Sequence, residues 1–254
     1  GRFMRERRII TEVGIYHIYL RGNSRFVIFY DDEDRNVFYS HIQKSALKHN
    51  VQLFAYALMD NHVHLLAKSN NLSAFVSSIL VCYVKWYNTK HKSSGNLFSS
   101  PYSSAPKNSM QKLRNSLIYI LLNPVEAGIV KNAIEYRWSS AELYFNEEKW
   151  RSSKIKVDTA FVKLLFESES NFLAALKRSD FTDGDIKEEK EIRILISYAD
   201  LNKVLQKQLA GRFLKELSRQ ELRVLANNLK SNTRASYIQI ANMLHVSYEF
   251  VRNG

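Results

Sequence analysis

The sequence predicts an α+β fold in two parts, a mixed strand-and-helix domain over residues 1–149 and a helical region over 150–254. Three observations predict it. Period-two apolar runs are interleaved with helical stripes as far as about residue 145; beyond that point only helical periodicity recurs. Gly (8) and Pro (3) are scarce, which suits regular elements on short connections. At 254 residues the chain is long enough for one large domain, or for a medium one with a smaller companion.

GIYHIYL (14–20) and RFVIFY (25–30) read as paired strands around RGNS, whose Gly and Asn permit a tight turn. Asp31 and Asp32 are N-cap candidates for a helix carrying Val37, Phe38, Ile42 and Leu47 as its apolar stripe. The acidic cluster Asp31 to Asp34 sits at that helix's positive end, and capping accounts for it better than a metal site does. QLFAYALM (52–59) and HVHLLAKS (62–69), joined by Asp60-Asn61, predict a β-hairpin. Ser73 caps a helix reaching about His91, with Phe75, Ile79, Cys82 and Trp86 inward, so Cys82 reads as a small buried hydrophobe. Residues 93–106 form a loop with a short strand, and a helix follows over 109–123, where Pro124 marks a break or kink at Asn123. WRSSK (150–154) is the expected linker to helices around 157–178, 190–207 and 209–229, interrupted by SDFTDGD (179–185).

Composition removes several function classes. With 45% hydrophobic and 24% charged residues the chain is neither disordered nor fibrous. One cysteine excludes an internal disulfide framework and a Cys-based zinc cluster. Apolar runs such as Leu117 to Leu122 fall short of the roughly 20 residues that span a bilayer, and no secretory signal follows the basic start, so a cytoplasmic protein is expected. Thirty-seven basic against 25 acidic residues give a net charge of +12. Residues 1–150 hold 19 basic and 12 acidic groups, and 151–254 hold 18 and 13, so both halves would attract a phosphate backbone. Ribosomal and membrane-surface proteins share that balance.

Four residues suggest chemistry. His62 and His64 stand two apart on a predicted strand, so both imidazoles face one way and could chelate a divalent ion, or could simply decorate a solvated sheet. Tyr119 and Asn123, spaced i,i+4, share one helix face a turn apart. An Asn oxygen with two neutral imidazoles leaves a divalent cation fully charged, with positions open for a phosphoryl oxygen. Tyr119 is then the nucleophile, and since a phenol has a pKa of about 10 it needs neighbouring positive charge; alone it would read as a core aromatic. Arg21, Asn23 and Arg25 flank the first turn, where they suit phosphate and base contacts as well as ordinary turn chemistry.

The blocks YHIYLRGNSRFVIF with DDEDR (16–35), YALMDNHVHLL (56–66), GNLF (95–98), YILLNPVEAGIV (119–130) and YRWSSAELY (136–144) together resemble the REP-associated tyrosine transposases of the HUH superfamily. The resemblance covers about residues 11–145. It implies a ferredoxin-like sheet, with the histidine pair on a central strand beneath the tyrosine helix. It implies that His62, His64 and Asn123 bind Mg²⁺ or Mn²⁺, and that Tyr119 attacks a phosphodiester of single-stranded or hairpin DNA to leave a 5′-phosphotyrosine and a free 3′-OH. Two departures stand out: Leu121 where many relatives carry histidine, and Pro101, Tyr102, Ser103 and Ser104 where an Arg-Tyr-Lys-Ser-like segment is common.

The end of the chain, RASYIQIANMLHVSYEFVRNG, resembles a helix-turn-helix with His245-Val246-Ser247 as the turn, a plain helical hairpin being the alternative. Recognition would then come from Tyr248, Glu249 and Arg252. Three functions compete: the metal-dependent transposase and single-strand endonuclease; a non-catalytic, domesticated nucleic-acid-binding regulator; and a phosphoesterase using activated water, for which Asp60 is the one nearby carboxylate. Whether the active site belongs to a monomer or is shared in a homodimer is left open by the sequence.

Overall fold

The computed structural model describes residues 14–177, 183–185 and 194–253. The basic start of the chain and parts of the predicted 157–178, 179–185 and 190–207 segments lie outside those residues.

Four strands form one antiparallel sheet: β1 (Ile15–Arg21), β2 (Gln52–Leu58), β3 (His62–Lys68) and β4 (Ser103–Pro106), in the order β2-β3-β1-β4. Helix α1 (Asp32–Lys48) joins β1 to β2, and α2 (Leu72–Lys90) joins β3 to β4. This is the expected ferredoxin-like arrangement. In β1 and β3 the register sets Arg21 opposite His62, Tyr19 opposite His64 and His17 opposite Leu66. Directly opposed residues share a face, so alternation collects His17, Tyr19, Arg21, His62 and His64 on one side. Ile18, Leu20, Val63 and Leu65 fill the other side and are fully or almost fully buried.

α1 starts as its sequence requires. Asp31 accepts from the Asp34 N–H while the Asp34 side chain accepts from the Asp31 N–H, a complete capping box. Lys90 then holds Asp31, Glu33 and Asp34 together, so the acidic cluster is structural. The inward stripe of α1 is Phe38, Ile42, Ser45 and Ala46; Leu47 falls one position past it and is 74% exposed. In α2 the cap is Asn71, not Ser73, and the buried series is Phe75, Val76, Ile79, Tyr83 and Tyr87. Cys82 lies off that series and is exposed, contrary to expectation.

Helix α3 (Met110–Glu126) is capped by Ser109 and runs through Pro124 instead of breaking at Asn123. The helix ends within a turn, where Ile129 N–H donates to the Pro124 carbonyl and Gly128 adopts φ 73°. The 136–144 segment then seals the outer edge of β2: Tyr136 and Tyr144 donate to the Leu58 and Phe54 carbonyls, and Ser140 Oγ accepts from the Tyr56 N–H.

The predicted strand over 25–30 is absent. Gly22 makes the bend, since a Cβ there would lie 2.2 Å from the Phe26 carbonyl oxygen, and Asn23–Arg25 form a 3-10 turn. Val27, Ile28 and Phe29 are buried, yet their N–H groups bond to the carbonyls of Asn242 and Asp60, not to a neighbouring strand. The run is apolar because it is buried from two sides: Phe29 packs on Phe38 of α1 and Tyr83 of α2, while Phe26 and Tyr30 pack on His245 of the helical region.

That region comprises α4 (Glu147–Ser152), α5 (Thr159–Phe166), α6 (Glu169–Ala175), α7 (Tyr198–Leu209), α8 (Arg219–Asn232), α9 (Tyr237–Leu244) and α10 (Tyr248–Arg252). Its apolar residues continue the core of the sheet domain. Ile155, Val162, Phe166 and Phe172 are buried in the same cluster as Phe54 and Tyr144. Asp158 N–H donates to Leu53 O at 2.7 Å, and Phe161 packs on Phe54 with centroids 4.4 Å apart. The expected boundary near residue 150 is therefore a change of element type across one continuous packing. Farther on, Tyr30 Oη donates to Met243 O and Asn202 donates to Tyr30 O, seating α7 and α9 on the 26–31 loop.

Candidate active site

The centre lies on the histidine face of β1 and β3, beneath α3. Three imidazoles and two phenols meet there. The His17 and His64 rings are 5.1 Å apart, and the Tyr119 ring lies 6.0 Å from His17 and 5.9 Å from His64. His62 stands edge-on to His64 at 4.9 Å, and Tyr19 stacks on His64 at 5.0 Å. His17, His62, His64 and Asn123 are each at most 1% exposed. Tyr119 alone of this group is half-buried, although the residues beside it, Ile118 and Ile120, are fully buried. The core-aromatic alternative for Tyr119 is thus set aside: its ring edges a polar centre and reaches solvent.

Hydrogen bonds fix how each ring presents itself. Asn61 Nδ2 donates to Arg25 O, which turns Asn61 Oδ1 toward His62 Nδ1 at 2.7 Å. An oxygen only accepts, so His62 carries its proton on Nδ1 and its lone pair on Nε2. His64 Nδ1 is engaged by His17 Nε2 at 2.9 Å, again directing Nε2 into the centre. Asn123 Nδ2 donates to Tyr119 O at 2.9 Å, the i,i+4 bond of the helix face, while its amide also reaches the His64 ring. With Nδ2 used, Oδ1 is the amide atom that faces the His64 ring. Burial, then repulsion from His62 and His17, holds the His64 pKa well below its ordinary value, so the ring is neutral as a metal ligand must be. Two neutral imidazoles and an amide oxygen suit a divalent cation with open positions. Among the described residues no group of three or more His, Cys, Asp and Glu is placed to hold a metal.

Sequence reasoning missed the support behind this face. His17 Nδ1 lies 2.6 Å from Asp183 Oδ2, and Asp183 also takes Lys107 Nζ at 2.6 Å and Ser116 Oγ at 2.6 Å. Lys107 is fully buried and pairs with Asp185 at 2.9 Å as well. Burial alone would raise the Asp183 pKa, but His17, Lys107 and Ser116 together hold it well below the carboxylate range. Burial lowers the His17 pKa and outweighs Asp183, which raises it. The signal for His17 was available, since it shares the face of Tyr19 two residues on. Asp183, 166 positions away, has no local signature.

Arg21 sits opposite His62 and, with Arg25, Asn61 and Tyr198, lines a narrow cleft beside the centre. Asn23 is exposed on the turn, where Ser24 and Arg25 adopt φ 51° and 64°, a conformation that costs L residues roughly 1 kcal/mol each. Asp60 is committed to an ion pair with buried Arg35, and its carbonyl accepts from Ile28 and Phe29. This removes the carboxylate that a water-activating phosphoesterase would need from it. Tyr248 and Arg252 lie apart from the centre on α10, which packs on α9 and α8. The turn before α10 has His245 at φ 55° and Ser247 as N-cap, so α9 and α10 are joined through a short left-handed turn.

Fold and centre define an α+β protein whose sheet carries paired histidines under a tyrosine helix. Residues 11–120 match the model of the family described as Transposase IS200 like, which bears out over that segment the resemblance read from the motifs and supports a transposase role. No curated protein matches the chain. One solved structure, of a REP-associated tyrosine transposase bound to a REP hairpin, is 14% identical, covers 76% of this chain and all of its own, and gives a TM-score of 0.48. Another, of a putative transposase from Deinococcus radiodurans R1, is 18% identical over 44% of this chain and 92% of its own, with a TM-score of 0.33. Among the described residues no helix is long and apolar enough to cross a membrane.

Proposed function

We propose that the protein is a metal-dependent tyrosine transposase that cleaves and rejoins single-stranded, hairpin-associated DNA. The observation that carries this reading is the half-buried Tyr119 ring within 6.0 Å of His17 and His64, one turn from Asn123, over histidines that are themselves buried. His62 Nε2, His64 Nε2 and Asn123 Oδ1 would hold Mg²⁺ or Mn²⁺. When bound, the ion would supply positive charge to a non-bridging phosphate oxygen and to the phenol. Tyr119 Oη attacks phosphorus in line with the 3′-oxygen; the new O–P bond forms, the P–O3′ bond breaks, and the phenolic proton ends on the 3′-OH. The product is a 5′-phosphotyrosine, and reversal on another 3′-OH rejoins a strand at the same site.

The polarity of the reaction favours single strands. A phosphate must reach Tyr119 in line with its leaving oxygen, and bases of a paired duplex would restrict that approach. Arg21 and Arg25, which line the cleft, would take phosphate, and exposed Asn23 a base edge. The basic helical region and its helix-turn-helix, with Tyr248 and Arg252 outward on α10, add affinity for a flanking hairpin.

The test is an end-labelled oligonucleotide containing a hairpin, incubated with the full chain and Mn²⁺. A covalent adduct on the 5′-phosphate side, lost in Tyr119→Phe although that variant still binds the DNA, is the expected result. An adduct on the other side of the nick, or one surviving Tyr119→Phe, overturns the reading. DNA binding with no cleavage under any divalent ion would favour the regulator.

A further inference from the structure

We propose that Tyr248, held edge-to-face by Tyr237, is a stacking platform for an unpaired base of the DNA strand, so that the end of the helical region binds single-stranded DNA through base faces. This rests on the DNA-binding part of the reading above and is independent of the chemistry at Tyr119.

Each of the two tyrosines opens a helix. Tyr237 follows the Ser236 cap of α9, and Tyr248 follows the Ser247 cap of α10. Ile240, Leu244 and Val251 supply the packing of these helices and are buried, whereas Tyr237 and Tyr248 remain 38% and 39% exposed. The contact of α9 with α10 brings the two rings to 6.4 Å between centroids, with their planes at 88°. That edge-to-face geometry is a favourable one for aromatic pairs and holds the rings against each other. Lys230 of α8 occupies Tyr237: its ammonium lies 4.6 Å from the ring centroid and donates to Ala235 O at 3.2 Å. Tyr248 meets no second ring and no cation among the described residues, so its exposure leaves a ring face open to a ligand. Arg252, also exposed, stands one turn along the same side of α10.

Charge selects the partner. From Arg219 to Asn253 the basic residues are Arg219, Arg223, Lys230, Arg234 and Arg252, and the acidic ones Glu221 and Glu249, a net charge of +3; Glu221 is already paired with Arg212. An open aromatic ring set in positive charge suits a polyanion that carries planar rings. Geometry selects the strand state. In a duplex the bases stack on one another and the grooves display only their edges. A tyrosine ring can therefore stack only on a base that has left the duplex, in a hairpin loop or beside the stem. Lys230 and Arg252, next to the two rings, would take the flanking phosphates.

The experiment uses the full chain carrying Tyr119→Phe, with EDTA present, so that cleavage does not intervene. The probe is a short dT strand with one central 2-aminopurine, whose fluorescence falls on stacking; the same strand paired with its complement as a blunt duplex is the comparison. Tyr248→Phe keeps the ring and loses the hydroxyl, while Tyr248→Leu loses the ring. Strand binding should be unchanged in Tyr248→Phe and weakened about 5- to 150-fold in Tyr248→Leu, the worth of one stacked base. The fluorescence drop should shrink only in Tyr248→Leu, and the salt slope should stay the same, because no phosphate contact is removed. The duplex should bind more weakly than the strand and be indifferent to both variants. Equal weakening by Tyr248→Phe and Tyr248→Leu, or a preference for the duplex, would indicate edge reading in a groove and overturn the proposal. Tight strand binding by a Tyr248→Leu chain with unchanged circular dichroism overturns it too, as does conversion of a dimer to a monomer by that variant with DNA binding intact. If stacking is found but the chain with Tyr119 intact forms no adduct with Mn²⁺, the platform stands and the transposase reading fails.

Discussion

His245 couples the helical region to the sheet domain through one neutral ring, which makes the docking pH-dependent. The ring stacks on Phe26 at 4.7 Å with planes 11° apart, and its Nε2 meets Val27 O at 2.8 Å, a bond that requires the proton there. Burial, with a smaller contribution from His91, pulls its pKa down to about 4, against 6.5 for a free side chain, while the Val27 carbonyl works the other way. In the unfolded chain the ring gains a proton below about pH 6.5; in the folded chain it does so only near pH 4. Stability present above pH 6.5 is therefore lost as pH falls, about 2 kcal/mol by pH 5 and on the order of 3 kcal/mol by pH 4. Asn in place of His245 tolerates the left-handed backbone at φ 55° and retains a donor for Val27, but does not titrate. Urea unfolding of wild type and His245→Asn at pH 7 and pH 5 isolates this effect, because the other buried histidines, His17 and His64, respond equally in both proteins. The wild type should lose about 2 kcal/mol more than the variant over that interval. Parallel losses, within about 0.5 kcal/mol of each other, would refute the argument.

Other substitutions address the remaining parts. His62→Ala and His64→Ala should each abolish Mn²⁺ binding and cleavage while the far-ultraviolet circular dichroism is unchanged; near-normal cleavage by either would return these residues to a structural role. A fragment ending at residue 150 should fail to show a cooperative thermal transition. It loses Ile155, Val162, Phe166 and Phe172 from the shared core, at about 1.5–3 kcal/mol each, against a typical total stability of about 5–15 kcal/mol; a sharp transition near that of the full chain would contradict the continuous core. Arg252→Ala should weaken hairpin binding and shallow its salt dependence by about one phosphate contact, with adduct formation at saturating DNA unaltered. An unchanged salt slope would detach α10 from DNA binding.

What the sequence determined by itself is what depends on short-range periodicity. Alternation along a strand puts His62 and His64 on one face whatever surrounds them, and i,i+4 spacing aligns Tyr119 with Asn123 before any packing is known. The Asp31 N-cap, the Asp60-Asn61 hairpin and the short β4 were legible because their signals are local too. The tertiary structure decided what depends on distant partners. RFVIFY carries an apolar pattern suited to a strand, but its N–H groups find Asp60 and Asn242, so no ladder forms. Cys82 and Leu47 satisfy an apolar count yet fall one helical step outside the buried stripe, whose phase is set by the neighbouring helix and sheet. The core continues past residue 150 because Phe161 and Phe172 meet Phe54 and Tyr144 across it. Asp183 reaches His17 over 166 positions through a loop contact, which leaves no periodic trace in the chain; only the fold brings that carboxylate behind the histidine pair.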